Sequence, residues 1–456
     1  MKVKNLFAML FAATALIACN NEDEAVSIDT GEKAWMNLSI SLTNPTTRAA
    51  DSNDANAEDV ETAVDNIYVY LEYDGAQTGY EEIAALNKSA FTGPTAGANN
   101  TIEYTSTSAV PVTRKAGENC RLFVVINRPD GFNANDITNK IYTGDITVLA
   151  QAGKFTMFNS EETFAKLYAT KDEAEAVAGR SKVSMERLAA KALLTTSLDF
   201  TQPVPDANLS GSTGTFVANS LKWRIRNSNT KMFFIKENDY KSPNWEYIAG
   251  TTVFTDYTKY PWNTTLIDVP AQATAPATGY KDDGTALVQY FTENTNQTYV
   301  YGNTTQMAIQ AHFIPSAIAT AYTAPANPGE APTWTIDDAN TTQQTFFYAP
   351  KEKKYMTEAA KTSFLADNAD AEVWGPYDNG ACYYYVSIGK TPLDDANLGA
   401  KRNHYYKANV KSLIAPGMPG EPTDENEKVN PDAVWIAVDL VIEPWNMVSM
   451  GDLDLK

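Results

Sequence analysis

At 456 residues the chain exceeds the size at which a single hydrophobic core keeps growing, so two domains are expected. Apolar residues make up 43% and aromatic residues 11%, enough to bury real cores, and the 24 Tyr favour strands. A net charge of −20 excludes the positive surface that nucleic-acid binding needs and suits a soluble face exposed to the medium.

Met1-Lys2-Val3-Lys4 is a short basic stretch, and residues 6–18 are apolar and uncharged. A run that short cannot cross a bilayer as a helix, which takes about 20 residues. It reads as the apolar region of a secretory signal peptide. The run ends Leu16-Ile17-Ala18-Cys19, which resembles the lipobox of bacterial lipoproteins, where the cysteine sulfur takes a diacylglycerol and the cut falls just before it. The acidic Asn20-Asn21-Glu22-Asp23-Glu24 that follows resembles the surface-export signal of lipoproteins in Bacteroides-type bacteria. No other stretch is apolar and long enough to span, so the expected anchor is lipid alone.

Period-2 alternation dominates the rest of the chain. Met36, Leu38, Ile40 and Leu42 share one face of a first strand, with Asn37, Ser39 and Ser41 on the other. Residues 43–59 lack any bulky apolar side chain and read as an exposed, nickable loop around Arg48. Ile67, Val69 and Leu71 alternate next, then Leu122, Val124 and Ile126 before the break at Arg128-Pro129. Residues 159–178 look helical, with Asn159 as N-cap, Glu162 in the third position, and Phe164, Leu167 and Tyr168 at helical spacing. The run from Met185 to Lys191 fits either a helix or a strand.

Turn chemistry at Gln202-Pro203-Val204-Pro205 and Ser210-Gly211-Ser212-Thr213-Gly214 predicts a domain boundary. Strands resume around Trp223, then at Met307, Ile309, Ala311 and Phe313; residues 324–332 read as an exposed loop. Tyr384, Val386 and Ile388 alternate, as do Tyr406, Ala408 and Val410, and finally Val434, Ile436, Val438, Leu440 and Ile442 up to Glu443-Pro444. No fixed-period repeat is present. Many short strands with polar turns imply an all-β chain of two antiparallel β-sandwich domains, with a short helical insertion in the first.

Taken in order, these segments resemble the fimbrillins of Bacteroides-type bacteria, the type V pilins. The likeness rests on the lipobox at Cys19, the first strand, Thr46-Thr47-Arg48-Ala49-Ala50 and Arg187-Leu188-Ala189-Ala190-Lys191. It continues through Arg402-Asn403-His404-Tyr405-Tyr406, the Pro416-Gly417 loop and the run from Val438 to Pro444-Trp445. The resemblance implies Greek-key, transthyretin-like sandwiches. It implies a signal peptide at 1–18, a lipidated propeptide with the first strand at 19–48, an N-terminal domain at 49–205 and a C-terminal domain at 206–456. It further implies outer-membrane anchoring through Cys19, cleavage after Arg48 by an arginine-specific protease to leave Ala49 first, and release of the strand bearing Met36, Leu38, Ile40 and Leu42. The groove left behind would take a neighbouring subunit's C-terminal segment, from this chain or a related fimbrial subunit. Residues 433–442 fit an ordinary core strand, so the donor is expected at Met447, Val448, Met450, Leu453 and Leu455. The implied product is a fimbrium at the cell surface that supports adhesion.

The residues leave two plainer alternatives. Arg48 fits a solvated loop residue equally well, and 8 Trp with 24 Tyr would suit a surface glycan-binding lipoprotein that never polymerises. Catalytic readings fare worse. His312 and His404 are the two histidines, HExxH is absent, and Gly211-Ser212-Thr213-Gly214 is one residue short of a nucleophile elbow. Lys281-Asp282-Asp283-Gly284 lacks the Ca²⁺-loop pattern. No enzyme activity, cofactor or metal is expected. Cys120 and Cys382 each sit in an apolar run and are expected as buried free thiols rather than a disulfide.

Overall fold

The computed structural model describes residues 33–43, 59–72, 79–96, 101–132, 134–139, 141–202, 204–205, 212–237, 240–245, 257–258, 266–275, 286–388, 399–427, 429 and 436–444. Strands dominate, as the alternation predicts, and they serve three main apolar cores.

The first core lies on a nine-stranded sheet. From edge to edge it runs Tyr80–Glu82, Ile67–Glu72, Arg121–Ile126, Met157–Asn159, Ser181–Arg187, Leu38–Thr43, Thr101–Ser106 and Phe91–Ala96, with Thr163–Phe164 also beside Arg121–Ile126. Alternating branched residues put Ile67, Val69, Leu71, Leu122, Val124 and Ile126 inside. The segment expected as a helix over 159–178 is mostly not one. Asn159 ends a strand, and its side-chain amide is used across the sheet, accepting from Val124 N and donating to Leu122 O. Phe164 points outward at 42% exposure while Leu167 is buried. The helix begins only at Lys171–Glu175, where Thr170 and Glu173 make the capping box that Asn159 and Glu162 were expected to make.

In the second core, Val288–Thr292, Ala189–Thr196, His404–Leu413 and Ile436–Pro444 form one sheet, and a second is built on Gln306–Pro315. Ala192, Leu194, Phe291, Tyr406 and Val410 from the former share one cluster with Trp223, Ile225, Ile309, Phe313 and Tyr384 from the latter. Two sheets packed over a common apolar layer are a sandwich. The sheets are mixed rather than purely antiparallel: Leu38–Thr43 runs parallel to Ser181–Arg187, and Ala189–Thr196 parallel to His404–Leu413. The ambiguous run from Met185 to Lys191 is the end of one strand and the start of the next. Sheet membership therefore changes at Leu188, upstream of the turn-rich stretch near residue 205.

The third core is an insert. Gln306–Pro315 and Ala381–Ser387 pair with each other from Gln306↔Ser387 to His312↔Ala381, and the chain between them leaves and returns at the hairpin tip. There Thr333–Asp337, Ile318–Thr323, Lys354–Met356, Phe346–Ala349 and Trp374–Tyr377 form a five-stranded sheet under the helix Glu358–Asp367. Thr357 caps that helix by accepting from Ala360 N, and Ala360 and Phe364 pack on Tyr322, Phe347 and Met356. Residues 324–332, between two of these strands, are exposed.

Candidate functional site

The first strand keeps one phase throughout: Ala34, Met36, Leu38 and Ile40 are fully buried and Leu42 nearly so. It changes partners at Asn37. Ala34–Met36 lies between the antiparallel strand Val110–Val112 and Tyr168, with Trp35 N donating to Tyr168 O at 2.8 Å and Tyr168 N donating to Trp35 O at 3.0 Å. Leu38–Thr43 lies between Thr101–Ser106 and Ser181–Arg187. The strand is therefore interior, paired along both edges. Burial of Met36, Leu38, Ile40 and Leu42 contributes roughly 1.5–3 kcal/mol each, before ordering costs.

Asn37 occupies the switch of partners and is 1% exposed. Its Oδ1 accepts from Leu38 N at 2.8 Å and from the Ser106 hydroxyl, which also accepts from Leu38 N at 3.1 Å. Its carbonyl accepts from Ser181 N at 2.9 Å. Ser106 and Ser181 are themselves buried.

The far end of the strand abuts the junction between the cores, where Leu42, Met157, Met185, Arg187 and Asn403 line a small cavity. Arg187 donates from Nε to Glu61 O at 2.9 Å and from Nη1 to Asn403 Oδ1 at 3.3 Å. The Glu61 carboxylate, fully buried on the short helix Asp59–Thr62, meets Lys191 Nζ at 2.8 Å and the Tyr290 hydroxyl. Beside it the Arg402 guanidinium grips Glu293 with two contacts of 3.1 Å and donates to Phe234 O at 2.9 Å and Phe233 O at 2.5 Å. Glu186 lies 3.9 Å from Arg402 and 3.1 Å from Lys236, and burial raises its pKa. Glu61 and Glu293 were not legible in the sequence, because an acidic residue among polar neighbours gives no local sign of burial. The nearest signal was Lys191 inside the otherwise apolar run from Leu188 to Leu194.

Cys19, Arg48 and Ala49 lie outside the described residues, as do Met447, Val448, Met450, Leu453 and Leu455. Cys120 and Cys382 are buried free thiols, each pushed up to about 12 by burial first of all. His312 Nδ1 lies 2.9 Å from Asn379 O, and the His404 Nδ1–H donates to Arg402 O at 2.7 Å. Among the described residues no group of three or more His, Cys, Asp or Glu could hold a metal, and no helix is long and apolar enough to cross a membrane.

Residues 376–450 match the family model described as the major fimbrial subunit protein type IV, fimbrillin, C-terminal. No curated protein matches the chain. Among solved structures, a fimbrilin from Porphyromonas gingivalis is 14% identical with a TM-score of 0.43, covering 91% of this chain and 99% of that one. The tip fimbrial protein of the same organism is 13% identical with a TM-score of 0.36, covering 89% and 99%. A fimbrial assembly protein from Parabacteroides distasonis is 11% identical with a TM-score of 0.36, covering 90% and 96%.

Proposed function

We propose, from the match of residues 376–450 to the fimbrillin C-terminal family model, that this chain is a fimbrillin, the precursor of a fimbrial subunit that polymerises by exchanging its first strand. On this view the chain is a structural component of the fimbria rather than an enzyme. In this reading it is exported as a lipoprotein through Cys19, held at the outer membrane, and cut after Arg48 by an arginine-specific protease. The strand bearing Met36, Leu38, Ile40 and Leu42 then leaves, and the segment containing Met447, Val448, Met450, Leu453 and Leu455 of a neighbouring copy or related subunit takes its place. The product is a fimbrium at the cell surface.

The observation that carries the reading is the interior position of the first strand. A strand paired on both edges and fully buried on one face leaves a slot, with two rows of unpaired backbone groups and an apolar floor, when it goes. Such a slot accepts only another extended strand. Arg48 follows that strand closely in sequence, so one cut after it frees the strand from the rest of the chain.

Mass spectrometry of the mature N-terminus from cells tests the processing step. A chain beginning at Ala49 is expected; a surface protein still beginning at Cys19 and forming no fibres overturns the reading in favour of a non-polymerising binding protein. Arg48→Ala should leave a folded, lipid-tethered monomer, and Cys19→Ser should abolish surface labelling, since no other nearby residue offers a thiol for acylation.

A further inference from the structure

The slot is not uniformly apolar. Where the first strand changes partners, the Ser106 hydroxyl and the Ser181 N–H form a buried polar notch, and Asn37 satisfies both: Oδ1 accepts from Ser106 and the main-chain carbonyl accepts from Ser181. Any strand supplies a carbonyl. A side chain with an acceptor oxygen two bonds beyond Cβ, on Cγ, can also reach Ser106 while turning back to its own following N–H, as Asn37 does to Leu38. An apolar side chain in the notch would leave the Ser106 hydroxyl buried without that partner.

We propose that the Ser106–Ser181 notch fixes the register of the strand entering the slot, and that its occupant is an Asx residue flanked by two large apolar residues in the tail of a second copy. The proposal rests on the strand-exchange reading above. A slip by one residue would turn every apolar side chain of the entering strand away from the core, and an alternating strand slipped by two would still bury its apolar face. The apolar floor alone therefore does not choose between registers two apart; a single polar notch does. Two tail triplets place an acceptor between apolar residues, Val448-Ser449-Met450 and Leu453-Asp454-Leu455. The second repeats Met36-Asn37-Leu38 most closely: it has an Asx in the centre, Gly451 falls where Ala34 stands, at a fully buried position, and Leu453 and Leu455 are the apolar residues that enter, with Lys456 opposite Ser39. In the first, the same alignment would bring Asp452 onto the buried position of Ile40.

The test is polymerisation of the full chain after cleavage at Arg48, followed by sedimentation and electron microscopy. Asp454→Asn should polymerise at least as well as the parent. Asp454→Leu should raise the critical concentration about tenfold, the factor that one unmade hydrogen bond to a buried group carries. A synthetic peptide of residues 33–43 should block fibre growth, and its Asn37→Leu form should need about tenfold more. Equal potency of the two peptides, or unchanged growth of Asp454→Leu, overturns the notch while leaving strand exchange standing. Failure of Ser449→Leu with Asp454→Leu unaffected also overturns it, by moving the contact to the other triplet. Fibres from a chain lacking residues 448–456 would instead overturn the strand-exchange reading itself.

Discussion

Glu293→Gln is expected to weaken the whole molecule, because its carboxylate is the closest counter-charge to Arg402 where the cores meet. Both side chains are fully buried, and Arg402 stays charged. Removing one partner of a buried ion pair costs about 3–5 kcal/mol, since the other charge is left without compensation. Two features place this case at the lower end. Arg402 keeps its bonds to Phe233 O and Phe234 O, and the Glu186 carboxylate remains 3.9 Å away. A loss of about 3 kcal/mol lowers the folding constant by roughly a hundredfold. Replacing both charges, as in Glu293→Leu with Arg402→Met, should recover only part of it: the apolar pair removes the desolvation cost, but Phe233 O, Phe234 O and the Glu186 carboxylate lose Arg402 as a partner. Urea unfolding followed by tryptophan fluorescence, with hydrogen exchange to report each core, measures both variants. A single mutant within about 0.5 kcal/mol of the parent, the range of an ordinary surface change, would refute the reading of Glu293 as the counter-charge that buried Arg402 depends on.

Leu38→Ala should destabilise the full-length chain by about 2–5 kcal/mol and, on the strand-exchange reading proposed above, leave assembled fibres unchanged; melting of both forms checks this. His404 has its pKa lowered to about 4, chiefly by burial, with the Lys401 and Lys236 charges acting in the same direction. Its neutral form is the one that folds, so stability should fall as pH drops from about 6.5 toward 4. His404→Asn should flatten that slope in melts taken across the window, while the raised pKa of Glu186 acts in the opposite direction. Cys120 and Cys382 should resist thiol reagents at pH 8 until urea unfolds the chain, read as labelling against time.

What the sequence discloses is local. Alternation in Met36 to Leu42, Ile67 to Leu71 and Tyr406 to Val410 sets each strand's buried face without knowledge of its neighbours. Pairing is not local. Nothing in Ala189–Thr196 says that one neighbour is Val288–Thr292 and the other His404–Leu413. The insert was missed for a related reason. Its strands alternate like those around them, and only Thr357 followed by Glu358-Ala359-Ala360-Lys361 marks a helix start within it. At the candidate site, the apolar face was legible from spacing. Asn37 looked like one more outward polar residue, because its burial comes from Ser106 and Ser181, far away in sequence.

The parallel pairing of Ala189–Thr196 with His404–Leu413 also governs when the molecule can fold. Thr196 and Val410 are 214 residues apart, yet the Thr196 hydroxyl donates to the Val410 carbonyl, so a central strand of the second sandwich waits for one made late in synthesis. Such a contact order makes closure slow and keeps it from preceding the emergence of the last strands. On the export reading proposed above, in which the chain is threaded through a translocon before it folds, lateness is protective. The half already delivered cannot lock the second sandwich while the remainder is still in transit.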